Sequence, residues 1–465
     1  MSPSAYTDIQ QTPSAVPAAQ VASRTKRTGS DYWWLTAGHD IAHLMQEASY
    51  PDHVRRQFLS FFRQNICPLL GDEVTPASKK SGLGWDGSPF EYAVDVKKEG
   101  VQQVVALIVD LANLKAPAAD GLDEDPEGIL STANARKVIG TMADKTPGFD
   151  DTWYRSLLNF FDQSHQTKER QLQLAAQAGH QTPLVIGFDI LPNLVPPTSS
   201  TSSPPHGDAV TTTNMLPVMG KVYFPACHRA AAAGQTRWKT ICQAIHQLPD
   251  ISTKFPVLLD QLKMIDDYLA TKPESWQDGA RYLATDFVAP EKSRLKVYLR
   301  YPGDSFEEMW DFFTLGGRIP APEEDKPMFQ DLIALTGRGS GGNSDSINPD
   351  LDYTNFRRKM TCFYFSLAPG NSTPGPKMGI YPANHAANDG VIARGLDAWL
   401  QKYDMPRPKE SVEKQLSRVF THRTLDEKKG LFNFICVGRK KDPTKKELGV
   451  QYYLGPELYA TPRDW

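Results

Sequence analysis

Apolar positions first fall into a helical rhythm after Asp31. Trp33, Trp34, Leu35, Ile41, Leu44 and Met45, then Val54, Phe58, Leu59, Phe62 and Ile66, recur at the spacing that gathers side chains on one helical face. Two helices are predicted there, the first capped by Asp31, the second closed by Pro68 and Gly71. The period then changes. Thr182 to Ile190 is β-rich, and four later segments read as strands: Lys221-Val-Tyr-Phe-Pro, Lys296-Val-Tyr-Leu-Arg-Tyr-Pro, Lys377-Met-Gly-Ile-Tyr-Pro and Val450-Gln-Tyr-Tyr-Leu-Gly-Pro. Lys221, Lys296 and Lys377 stand 75 and 81 residues apart, and Val450 follows 73 residues later. Helical patterns fill the gaps: Trp238 to Leu248, Phe255 to Leu269, Phe306 to Leu315, Val391 to Tyr403 and Val412 to Phe420. Helices and strands returning at a near-constant period predict one repeat architecture, although 465 residues alone would suggest two or three domains.

Residues i and i+2 of a strand share a face, so Lys221 projects with Tyr223, and Arg294 with Lys296 and Tyr298. A lysine cannot face a dry core cheaply. These faces therefore look out to solvent or line a wet cavity inside a barrel, and the recurrence of Lys-x-Tyr favours the cavity. A barrel of about ten strands is wide enough inside to hold a ligand.

Composition narrows the ligand less than the strands do. A formal net charge of −3 gives no global attraction to nucleic acid or an anionic membrane, so an anionic ligand has to meet a local cation cluster. Five cysteines, far apart and without a Cys-x-x-Cys pair, point to a reducing compartment and no structural metal. Residues 1–29, rich in Ser, Ala, Pro and Thr, read as a disordered tail without a signal peptide, and 196–213 as an exposed loop inside a single domain spanning 30–465. No run reaches the roughly 18 apolar residues of a membrane helix, so the expectation is a cytoplasmic protein, monomer or homodimer, with no nucleic-acid or membrane partner. The basic run Arg439 to Lys446 reads as a hairpin tip, and Met360, Phe363 and Phe365 as core.

Two motif-like strings fail on context. Gly337-Arg-Gly-Ser-Gly-Gly342 fits a dinucleotide fingerprint literally but follows a helical stretch instead of a strand, and reads as a loop. Asp266-Asp267 has Ala270 where a magnesium-binding Asp-Asp-x-x-Asp needs its third acid, and Asp150-Asp151 runs into Thr-Trp-Tyr.

From about Tyr32 onward the chain resembles the dimethylallyltryptophan synthase family of fungal aromatic prenyltransferases. The markers, in order, are Trp33-Trp34, Pro68-Leu-Leu-Gly71, Gly87-Ser-Pro-Phe-Glu-Tyr92, Gly187-Phe-Asp-Ile190, Lys221-Val-Tyr-Phe-Pro225, Ser293-Arg-Leu-Lys-Val-Tyr298, Leu315-Gly-Gly317 and Asn388-Asp389. The resemblance implies an α+β fold, a ten-stranded antiparallel β-barrel surrounded by helices in ααββ repeats. It also implies transfer of a prenyl group from a prenyl diphosphate, dimethylallyl or longer, to an indole or phenolic acceptor in secondary metabolism, with no cofactor and no metal. Cationic side chains then meet the diphosphate: Lys221, Arg294 and Lys296 supply three positive charges. Tyr223, Tyr298 and Tyr452 match tyrosines that shield the carbocation, and Leu83, Lys377 and Tyr381 complete the implied substrate-binding set. Glu91 falls on the acid that bonds the acceptor and takes its proton; a partly dry barrel would raise its pKa toward the range of a general base.

The chain departs from the family in three places. An arginine of the family falls on Ala106, and two wall tyrosines fall on Gly379 and Leu448. These losses motivate two expectations: a cavity that takes a bulkier donor or acceptor, or a barrel that has lost transfer and serves as a binding protein or non-prenylating cyclase. The identity of the acceptor is not written in the sequence.

Overall fold

The computed structural model describes residues 28–75, 78, 80–97, 100–112, 128–179, 181–193, 215–301, 305–338, 362–439, 448–461 and 463. Ten strands occur among them: β1 Phe90–Asp95, β2 Val105–Asp110, β3 Val185–Ile190, β4 Val218–Pro225, β5 Ala280–Asp286, β6 Leu295–Arg300, β7 Cys362–Leu367, β8 Gly375–Ile380, β9 Phe432–Arg439 and β10 Leu448–Leu454. Each pairs antiparallel with its sequence neighbour, and β10 returns to β1, closing the barrel. Helices precede every strand pair, from His39–Glu47 and Asp52–Phe61 before β1 to Asp389–Lys402 and Val412–Val419 before β9. The expected ααββ barrel is the observed fold.

Alternation along the strands divides the protein into two environments. Outward residues such as Phe90, Tyr92, Val222, Phe224, Val297, Phe363 and Phe365 join the helices in one continuous apolar layer. The helices reach it with Val54, Phe58 and Phe61 on one face, and with the fully buried Trp33, Trp238 and Trp399. Burying each tryptophan contributes roughly 4–6 kcal/mol at 25 cal/mol per Å². The fold is therefore held between barrel and helices, and the barrel's interior is free to carry polar groups.

Local chemistry sets the ends of the elements. The helix expected to begin at Asp31 is capped one turn earlier. Thr28 accepts from the Asp31 N–H at 3.2 Å, and the Asp31 carboxylate accepts from the Thr28 N–H, a reciprocal pair that satisfies two otherwise orphaned donors. Tyr50, between the first two of these helices, donates its hydroxyl to the Ile190 carbonyl at 2.7 Å and pins them to β3. Among the described residues no helix is long and apolar enough to cross a membrane. Residues 1–27, the loop at 196–213, Met360, the basic run after Arg439 and the string after Arg338 lie outside the described residues.

Candidate active site

The barrel encloses a cavity of about 820 Å³, counting its open mouth. Strand β6 turns Lys296, Tyr298 and Arg300 to the barrel interior, with Arg294 just before it, about 7 Å apart along the chain, and Tyr298 and Arg300 line this cavity.

At one end the expected cations converge. Arg294 Nε donates to Asp286 Oδ2 at 2.8 Å, Lys296 Nζ donates to Asp286 Oδ1 at 3.0 Å, and Lys221 Nζ bonds Asp189. Sheet register brings them together, because Lys221 on β4 lies opposite Asp286 on β5 and Gly187 on β3. Burial alone would raise the Asp286 carboxyl, but Lys296, Arg294 and Lys221 outweigh it and hold it well below the usual carboxylate range. Burial drives Lys296 the other way, down to about 7, with Arg294 and Lys221 adding to the effect and Asp286 opposing it. Lys377 also faces inward, with Nζ 5.6 Å from the centre of the Tyr364 ring.

Aromatic rings line the middle. Tyr298 lies 5.8 Å from Tyr223 and 5.1 Å from Tyr364, centre to centre, and meets Tyr282 edge-on at 6.3 Å. Across the cavity Phe434 stacks on Tyr453 at 4.0 Å and touches Tyr381 at 5.6 Å. Burial raises the Tyr223, Tyr298 and Tyr453 hydroxyls, so they stay protonated and act as donors. Gly187 makes room for this wall, since a Cβ there would come within 3.1 Å of the Tyr223 ring. Ala93, Ala106, Ile108 and Val185 form an apolar strip against Leu83, Tyr223 and Tyr453.

The other end carries two arginines that bond no acid among the described residues. Arg281 and Arg300 line the cavity, and neither has a carboxylate partner among the described residues. The Arg281 Nε is buried without a hydrogen-bond partner among the described residues, and burial, with Arg300 and Arg237 adding repulsion, pushes its guanidinium down to about 10. Glu91 opens onto the same cavity, only 7% exposed, and accepts from Asn433 Nδ2 at 2.9 Å.

Glu91, Leu83, Lys221, Tyr223, Arg294, Lys296, Tyr298, Lys377 and Tyr381 are thus brought to one interior. Tyr452 is not. It faces the helices, fully buried against Phe432, and its neighbour Tyr453 faces the cavity. Leu448, on the same outward face, is no part of the wall either, so its substitution opens no space inside. Gly379 does face inward, but a Cβ there would meet the Cys362 carbonyl at 2.9 Å and Phe434 at 3.4 Å, so neighbours already occupy that volume. Of the three departures, Ala106 alone leaves apolar wall where a charge is expected.

Sequence reasoning missed Arg281, Arg300, Asn433, Tyr364, Tyr453 and the two interior acids Asp189 and Asp286. Counting inward positions by twos from Lys296 would have reached Arg300, and from Cys362 would have reached Tyr364. No local pattern marks Arg281, which sits where the β5–β6 register shifts, between Ala280 and Tyr282.

Comparison with known proteins agrees with this geometry. Residues 29–415 match the model of the family described as tryptophan dimethylallyltransferase. The chain is similar to prenyltransferase phnF of Penicillium herquei, 45% identical over 435 residues that cover 93% of this chain and 92% of that one. DMATS-type prenyltransferase mfmD of Annulohypoxylon moriforme is 45% identical over 440 residues, 93% of this chain and 94% of its own. The fold superposes on NotF, solved in complex with brevianamide F and DMSPP, with a TM-score of 0.70 at 17% identity, covering 94% and 97% of the two chains.

Proposed function

The chain belongs to the tryptophan dimethylallyltransferase family, and from that premise we propose how this aromatic prenyltransferase uses its two-ended cavity. The observation that carries the reading is one interior in which a cation cluster, a tyrosine wall and a carboxylate follow one another. The diphosphate of a prenyl donor binds Lys221, Arg294 and Lys296, with Lys377 in support. Their charge stabilises the pair of electrons that the diphosphate oxygen keeps when its bond to the allylic carbon breaks. Side-chain cations supply that stabilisation here, so transfer needs no metal.

The allylic cation then rests among Tyr223, Tyr298, Tyr364 and Tyr453, whose faces attract it and whose packing excludes water. The strip of Ala93, Ala106, Ile108 and Val185 receives the hydrocarbon tail. Each further CH₂ buried there is worth about 0.8 kcal/mol, which favours a donor longer than five carbons. An electron-rich ring carbon attacks, forming the new C–C bond. Glu91, held by Asn433, accepts a hydrogen bond from the acceptor's N–H or O–H during the attack and then takes the proton that the attacked ring carbon loses as the ring regains aromaticity. Arg281 and Arg300 select the acceptor: two guanidiniums that bond no carboxylate among the described residues fit an aromatic molecule that carries an acidic oxygen, a carboxylate or an ionised phenol. Five unpaired cysteines support a reducing, cytoplasmic setting.

The test is incubation of the protein with five- and ten-carbon diphosphates and a panel of phenolic, carboxylated and neutral indole acceptors, with and without EDTA, followed by mass spectrometry and a pyrophosphate assay. Product is expected with acidic acceptors and unchanged by EDTA. Absence of pyrophosphate release from every pair would defeat the reading, and loss of product in EDTA would defeat its metal-free form.

A further inference from the structure

All three members of the cation cluster already hold an acid. Asp286 offers one oxygen to Arg294 and the other to Lys296, and Asp189 engages Lys221. These acids are not surface groups that happen to reach inward: the Asp286 side chain is 2% exposed and that of Asp189 19%. Both are fixed by sheet register on strands that flank the lysine they serve. A cradle shaped only to grip an anion would leave its cations without bonded acids, as Arg281 and Arg300 are left at the far end among the described residues.

We propose that Asp286, with Asp189 in support, is a positioning residue that competes with the diphosphate for the three cations, holding them in place in the empty site and taking them back as pyrophosphate departs. The proposal rests on the prenyl-diphosphate reading above. Three full charges crowded in a dry barrel without counter-ions repel one another and lose hydration. Asp286 removes that cost while engaging Arg294 only through Nε, so among the described residues both Nη groups stay open to an incoming phosphate. The same acid limits how tightly the site grips the leaving group. Binding energy shared equally by donor and product does not speed the chemical step and delays release. An internal competitor lowers that shared part.

The test is calorimetric titration of the full-length chain with inorganic pyrophosphate, comparing wild type, Asp286→Asn and Asp189→Asn, each checked by thermal unfolding. Asp286→Asn is expected to bind pyrophosphate about tenfold more tightly and Asp189→Asn about threefold, the scale of one lost repulsion between nearby charges. In turnover, kcat falls and pyrophosphate inhibits at lower concentration. A purely structural acid would do the opposite, loosening the cradle. If Asp286→Asn does not fold, the less buried Asp189→Asn decides. Unchanged or weaker pyrophosphate binding in the folded variants overturns the competition. A wild type that binds no pyrophosphate overturns it together with the diphosphate reading of the site.

Discussion

Arg294, just before β6, and Arg300, at its end, stand six residues apart and face the same barrel interior, yet they keep different company. Arg294 shares a buried carboxylate with Lys296, whereas Arg300 and its neighbour Arg281 have no carboxylate partner among the described residues. The contrast separates two ways of binding an anion. At the paired end the ligand must displace an acid, so affinity is moderated and the geometry is ready beforehand. At the unpaired end the ligand supplies the missing counter-ion, so recognition depends strongly on its charge.

The largest effect is expected where the two ends meet in chemistry. Glu91→Gln keeps the contact with Asn433 but cannot take a proton, and should lower single-turnover product formation by about 10²–10⁴-fold while pyrophosphate still binds. Near-native turnover would place the proton acceptor elsewhere and detach Glu91 from the acceptor end. Next in size, Arg281→Met and Arg300→Met should each raise KM for an acidic acceptor by about 10–100-fold, with donor KM unchanged and little effect on a neutral acceptor. Equal losses for acidic and neutral acceptors would show that the arginines shape the pocket without reading charge.

A smaller effect tests the paired end. Lys296 faces Asp286, Arg294, Lys221 and, farther off, Asp189, and its ammonium is pushed down to about 7. An anionic donor favours the ammonium, so donor binding takes up a proton above pH 7 and weakens as pH rises. Donor KM should increase about tenfold between pH 7 and 8.5, and Lys296→Arg, which stays charged, should flatten that rise. For stability the sign is opposite. Between pH 7 and about 10 the unfolded chain holds the proton that folded Lys296 has released, so this group's penalty on folding fades as pH rises. A donor KM as flat in wild type as in Lys296→Arg would show that Lys296 is charged throughout.

Much of this was legible from period alone. The strand segments at Lys221, Lys296, Lys377 and Val450 and the five helical patterns between them fall where the structure has them, because burial on one face imposes a rhythm on the sequence. What period could not decide was the face of a residue within a doublet. Tyr452 and Tyr453 are equivalent as letters, and a slip of one residue exchanges cavity for core. The register against β9, with its irregularity after Tyr453, settles the matter only in three dimensions. Asp189 was visible inside the Gly-Phe-Asp-Ile marker, but its meaning depends on Lys221, thirty-two residues later and one strand over. Interior acids become interpretable only once their cations are in place.

The closed barrel has a consequence for how such a protein can change. Because outward side chains build the fold and inward ones touch the ligand, inheritance can act on the two sets almost separately. A lineage can exchange alternate residues along ten strands, altering what is prenylated and with what, while the layer beneath the helices keeps the scaffold standing. A combinatorial library confined to inward positions such as Ala106, Arg281, Arg300 and Tyr364 would explore specificity at little risk to folding. The same number of changes on the outward face would mostly yield chains that never reach the barrel.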